Sequence, residues 1–184
     1  MKKLIFVAGD LASGKTRFSE MISQRFGIPV IHKDPIKEIL GDTIGFSSRE
    51  ENKKLSEASR SIMALFLEAY VKTGENLIME SNFRKDEIKN LSAEASEYGY
   101  ETLTLYLTGD VNVLHKRYVY RITSENRHPV HQSTTFDIFE DFKHYVESTR
   151  FEPDGNAIVV DATDFSYQTS VKILNAVEIF ITHA

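Results

Sequence analysis

Apolar residues follow two rhythms in this chain. Short unbroken runs at residues 4–8, 29–32, 76–80, 102–107 and 157–160 each end in polar residues or glycine, and such runs predict strands buried on both faces. Elsewhere apolar side chains recur every three or four positions, which predicts amphipathic helices over 16–26, 49–72, 85–98, 110–120, 136–149 and 168–181. Pro35 suits the opening of a further short helix at 36–40. Gly27, Gly74 and Gly99 stand where helices should stop. Residues 41–48 read as a loop, and residues 121–135 are polar without any period. Strands alternating with helices predict an α/β architecture, a parallel sheet of five strands with helices on both faces and right-handed crossovers. No linker or shift in composition divides residues 1–184, so one domain is expected.

Such sheets bind ligands beyond the carboxyl ends of their strands. The segment after the first strand, Gly9-Asp10-Leu11-Ala12-Ser13-Gly14-Lys15-Thr16, has the spacing G-x-x-x-x-G-K-T. Its glycines let successive backbone N–H groups turn inward, and the following helix adds the positive end of its dipole. Lys15 is placed to reach the β- and γ-phosphates of a nucleotide, and the Thr16 hydroxyl suits Mg²⁺. The ends of the other strands carry weaker candidates. Asp34 either accepts the proton of an attacking hydroxyl or caps the helix that follows. Glu80 and Asn82 face either a Mg²⁺-bound water and the acceptor, or solvent. Arg84 and Lys85 either hold an anionic acceptor or are simply solvated.

Arg117 and Arg121 lie four residues apart on one helical face, and Arg127 follows in the polar stretch. As a set they predict an arginine-bearing lid over about residues 115–135, closing on a γ-phosphate as charge builds there. Asp161, Thr163 and Phe165, after the last strand, either border a nucleotide base or cap the turn.

Composition narrows the function. The 27 acidic and 22 basic side chains give a net charge of -5, which argues against gripping long nucleic acid. The absence of cysteine removes disulfides, thiol nucleophiles and Cys-based metal sites. His128 and His131 lack the neighbours of a metal site and read as loop histidines. The first apolar run breaks at Gly9 and Asp10, too early for a signal core, and no run approaches a membrane span. A cytoplasmic protein that does not enter the membrane is expected.

With the phosphate loop, the acid after the second strand and the arginine segment in this order, the chain resembles the small P-loop kinases of the nucleoside-monophosphate-kinase type. It is most similar to the branch with polynucleotide 5′-kinase domains, chloramphenicol phosphotransferase and zeta toxins. The resemblance implies a three-layer P-loop NTPase fold with strand order 2-3-1-4-5, ATP with Mg²⁺ as donor, and a hydroxyl as acceptor. It assigns Asp34 as general base, Arg127 and Arg121 as lid arginines, and Lys15 and Thr16 as phosphate and magnesium residues. Where relatives often carry Asp after the third strand, Glu80 stands here. The expected activity is ATP-dependent phosphorylation of a small molecule's hydroxyl. The competing readings are a kinase of a nucleic-acid 5′-hydroxyl or nucleotide sugar, and a regulatory module that binds ATP without transfer.

Overall fold

The first strand, β1 (Lys2–Gly9), is the centre of the sheet. Every residue from Leu4 to Ala8 is fully buried. Leu4, Phe6 and Ala8 enter one core while Ile5 and Val7 enter another, because successive side chains of a strand point to opposite faces. An unbroken apolar run is therefore stable only where helices cover both sides. The structure, a computed structural model, describes residues 2–124, 127–132, 136–164 and 166–182.

β1 pairs in parallel with β3 (Leu77–Glu80) and β4 (Tyr100–Thr108); β2 (Val30–His32) and β5 (Ala157–Asp161) add to the outer sides. The order is β2-β3-β1-β4-β5, as the resemblance implies. Helices α3 (Arg49–Tyr70) and α4 (Lys85–Glu97) close the first core with Met63, Leu67, Ile88 and Ala95. On the opposite face α1 (Lys15–Phe26) and α7 (Tyr167–Thr182) supply Phe18, Ile22, Ile173 and Val177. A third cluster joins α5 (Val111–Ser124) to α6 (Phe139–Thr149) through Leu114, Tyr118, Phe142 and Val146. Ala12 of the phosphate loop packs into it.

The boundaries differ from expectation in three places. Helix α2 runs from Lys33 to Ile44, not only 36–40. Pro35 lies in its first turn, where no N–H is required of it, and Gly41 sits in mid-helix instead of opening a loop. A glycine there weakens a helix by roughly 0.5–1 kcal/mol relative to alanine. The reason is steric: a Cβ on Gly41 would overlap Cγ1 of Val130. Helix α5 continues to Ser124, so Arg121 is helical. Phe136, expected to begin a helix, instead donates its N–H to the Tyr118 hydroxyl at 3.1 Å and stacks its ring among Tyr118, Phe142 and Tyr145. Between these helices Pro129–His131 forms one 3-10 turn. No helix among the described residues is long and apolar enough to cross a membrane.

Candidate functional site

The phosphate loop leaves β1 through Gly9, whose φ of 126° is open to few other residues and whose missing Cβ would strike the backbone of Leu107. Asp10 N–H then donates to Leu107 O at 2.8 Å, tying the loop to β4. Gly14, with φ 87°, caps α1 without any side-chain hydrogen bond, and the first turn of α1 carries no acid. The helix therefore presents its N-terminal amides and the positive end of its dipole without a competing anion of its own. Lys15 folds back over the loop, its Nζ donating to Gly9 O at 3.2 Å and Asp10 O at 2.7 Å. Burial pulls the Lys15 pKa down, while Glu80, Asp34 and Asp10 oppose that pull.

Those acids mark the surroundings of Lys15. Glu80, buried at the end of β3, accepts from Thr16 Oγ1 at 3.3 Å and lies 2.8 Å from His32 Nδ1. The bond to Glu80 raises the His32 pKa, against the opposing pull of burial. A histidine with a raised folded-state pKa adds stability that is complete below its unfolded value of 6.5 and is lost as pH rises through the folded value. The unfolding free energy of the native chain, relative to a His32→Gln variant, is thus expected to fall as pH rises from 6.5 through the raised folded-state value in denaturant titrations. A constant difference would show that the pair does not titrate.

Asp34 occupies the first turn of α2, with its side chain about 49% exposed and Oδ1 3.7 Å from Lys33 Nζ. Burial pushes its pKa up, but Lys33, His131, Lys15 and Arg127 together outweigh that and hold it below the ordinary carboxylate value. Lys33 itself is buried and donates to Asn82 Oδ1, joining α2 to the end of β3.

These groups open into one cleft of about 1420 Å³. Of the sequence candidates, Gly9 to Ala12, Gly14 to Thr16, Asp34, Glu80, Asn82, Arg84, Arg117, Arg121 and Arg127 all line it. Ser13 lies buried beneath the loop. Lysines and arginines outnumber acids in its wall by fourteen to five, although the whole chain carries -5. Helix α3 contributes to this excess by turning Arg49, Lys53 and Arg60 toward the cleft.

Several candidates are engaged in structural contacts. The Asp10 carboxylate is buried, with Oδ2 accepting from Arg150 Nε at 2.8 Å, Arg150 Nη2 at 2.6 Å and Thr108 Oγ1 at 2.8 Å. It fastens the loop to the end of α6, while its main chain borders the cleft. Arg117 donates through Nη1 to Ala162 O and through Nη2 to Thr163 O at 2.9 Å, bracing the turn after β5. Asp161 Oδ1 accepts from Thr163 N–H at 2.9 Å, and Thr163 Oγ1 accepts from Asp110 N–H at 2.8 Å. Both residues shape that turn and stand outside the cleft wall. Arg84 stands at the N-cap of α4, its N–H donating to Glu87 Oε2 at 2.7 Å. Phe165 and residues 125–126 and 133–135 of the expected lid lie outside the described residues.

Lys33, Lys37, Asn52, Arg150 and the basic side of α3 were not legible as site residues. Only the position of Lys33 beside Asp34 offered a signal; the others reach the cleft from helix positions that look like solvated surface. His128 and His131 pair with Asp42 and Glu38 of α2. Among the described residues no three His, Cys, Asp or Glu side chains are grouped to hold a metal ion.

Comparison with known proteins agrees with the fold. None of the curated proteins matches the chain in sequence. Among solved structures, a candidate kinase from Chloroflexus aurantiacus J-10-fl shares 26% identity and a TM-score of 0.83 over 97% of each chain. A gluconokinase from Sinorhizobium meliloti 1021 superposes with a TM-score of 0.59 at 16% identity, over 99% of this chain and 98% of its own. Kti12 of Chaetomium thermophilum, solved in complex with ADP-AlF3, does so with a TM-score of 0.67 at 17% identity, over 98% of this chain and 100% of its own. At those identities the last two share the fold alone, a nucleotide-binding P-loop fold found in kinases. The family model described as Zeta toxin matches residues 1–170, and over that span the chain belongs to the zeta toxin family.

Proposed function

We propose that this protein transfers the γ-phosphoryl group of ATP to a hydroxyl of a small, negatively charged acceptor. The observation that carries the reading is a single cleft holding the phosphate loop, Asp34 and a fourteen-to-five excess of cationic side chains. The loop amides, the N-terminus of α1 and Lys15 hold the β- and γ-phosphates. Thr16 and Glu80 offer a hydroxyl and a carboxylate oxygen side by side, a donor pair that fits Mg²⁺, which keeps most of its remaining ligands as water and phosphate oxygens. When bound there, Mg²⁺ neutralises charge on the phosphates.

The acceptor hydroxyl oxygen attacks the γ-phosphorus and its proton passes to the Asp34 carboxylate. The bond from that phosphorus to the β–γ bridging oxygen breaks, and ADP leaves. Arg127 and Arg121 meet the charge that spreads over the transferred group. Arg117, with Asp161 and Thr163, shapes the turn beside the nucleotide base. Asn82, Arg84 and the basic side of α3 receive the acceptor, and their charge favours one that bears phosphate or carboxylate groups.

The test is acceptor-dependent ADP release with MgATP and a panel of hydroxyl compounds in neutral and phosphorylated forms, together with a short 5′-hydroxyl oligonucleotide. Phosphorylated small acceptors are expected to turn over, with a KM that rises several-fold between about 0.05 and 0.5 M salt as the cleft is screened. Tight ATP binding with no turnover on any acceptor would overturn the reading in favour of a regulatory nucleotide-binding module.

A further inference from the structure

The turn that follows Arg127 is fastened to α2 and α3 around Val130. Val130 is about 1% exposed, and its carbonyl accepts from Lys37 Nζ at 3.0 Å and from Asn52 Nδ2 at 2.8 Å. Its side chain fills the space that a Cβ on Gly41 would occupy. On either side, His128 Nε2 lies 3.0 Å from Asp42 Oδ1 and His131 Nε2 lies 2.9 Å from Glu38 Oε1. Lys37, Glu38, Gly41 and Asp42 are related by steps of three and four along α2, so they form one face. Asp34 lies one turn earlier on the same face.

We propose that Lys37, Asn52 and Gly41 form a seat for Val130 that holds Arg127 and His131 in the cleft that Asp34 lines. The catalytic side of this inference rests on the function proposed above; the positioning does not. Both Arg127 and His131 line the cleft with Asp34, and both draw its carboxyl below the ordinary value. Two features of the contact act against stability. Burial brings the Lys37 pKa down to about 8, and a mid-helix glycine weakens α2. What the two features share is Val130: one binds its carbonyl by a charge-assisted bond, and the other makes room for its methyl groups.

Gly41→Ala tests the seat directly, because its Cβ would displace Val130. Lys37→Met is the second variant, since it removes the donor and a buried charge together. For each, we expect amide exchange of residues 130–132 to rise at least about tenfold while the chain stays folded. The Asp34 carboxyl, followed by carbon NMR, should titrate at higher pH than in the native chain. Adding Arg127→Ala to Gly41→Ala should move it by less than the sum of the single effects. With a turned-over acceptor, kcat should fall about 10- to 100-fold while ADP affinity stays within twofold. An unmoved Asp34 titration in both variants overturns the proposal, as does native exchange at 130–132. If the native chain turns over no acceptor, the proposed function fails by itself, and the exchange and titration still decide the seat.

Discussion

Replacing Asp34 with asparagine is expected to reduce acceptor-dependent phosphoryl transfer by about 10²- to 10⁴-fold. The substitution keeps size and shape but removes the atom that takes the proton. The ADP dissociation constant should hold or tighten slightly, because one negative charge leaves the neighbourhood of Lys15 and the phosphates. Rates from ADP release and affinities from calorimetry check the two halves separately. The folded-state pKa of Asp34 is depressed, so its contribution to stability is present above its unfolded value of 3.8 and lost as pH falls through the folded one. At neutral pH the asparagine variant should therefore lose a little stability, limited because the carboxylate is half-exposed. Native-rate transfer by this variant would remove Asp34 from the chemistry and leave it as a helix-terminal acid.

Removing the guanidinium of Arg127 is expected to lower kcat by about 10³-fold or more, the range found where an arginine meets charge that develops only in the transition state. ADP binding should change by no more than a few-fold, since Lys15 and the loop amides hold the β-phosphate without it. Arg117 offers the contrast. Its guanidinium braces the carbonyls of Ala162 and Thr163, so Arg117→Ala is expected to raise the KM for ATP more than it lowers kcat. An Arg127→Ala variant that lost ADP affinity and rate in equal proportion would be a ground-state binder instead.

Much of the fold was legible because its signals are local. Residues 4–8 read as a doubly buried strand, and both faces of β1 are covered. The G-x-x-x-x-G-K-T spacing predicted an inward-turned loop at a helix N-terminus, and Gly9 and Gly14 carry the positive φ values that such a loop requires. The strand-end rule singled out Asp34, Glu80 and Asn82, and all three line the cleft. Local reading failed at Gly41, where the glycine marks close packing against a turn eighty-nine positions later, a contact with no local trace. It also missed the clamp on Asp10, because Arg150 is distant in sequence and ends a helix whose surface looks ordinary.

By itself, the sequence determined the parallel sheet, the phosphate loop and the order in which the polar strand ends follow one another, since each depends on neighbouring residues or a fixed spacing. Only the tertiary structure decided the sign of the cleft. A chain of net charge -5 gathers its lysines and arginines around the phosphate loop, because α2, α3 and α5 turn one side of each toward the same opening. Helical periodicity says which residues share a side, but only packing against the sheet fixes which side looks inward.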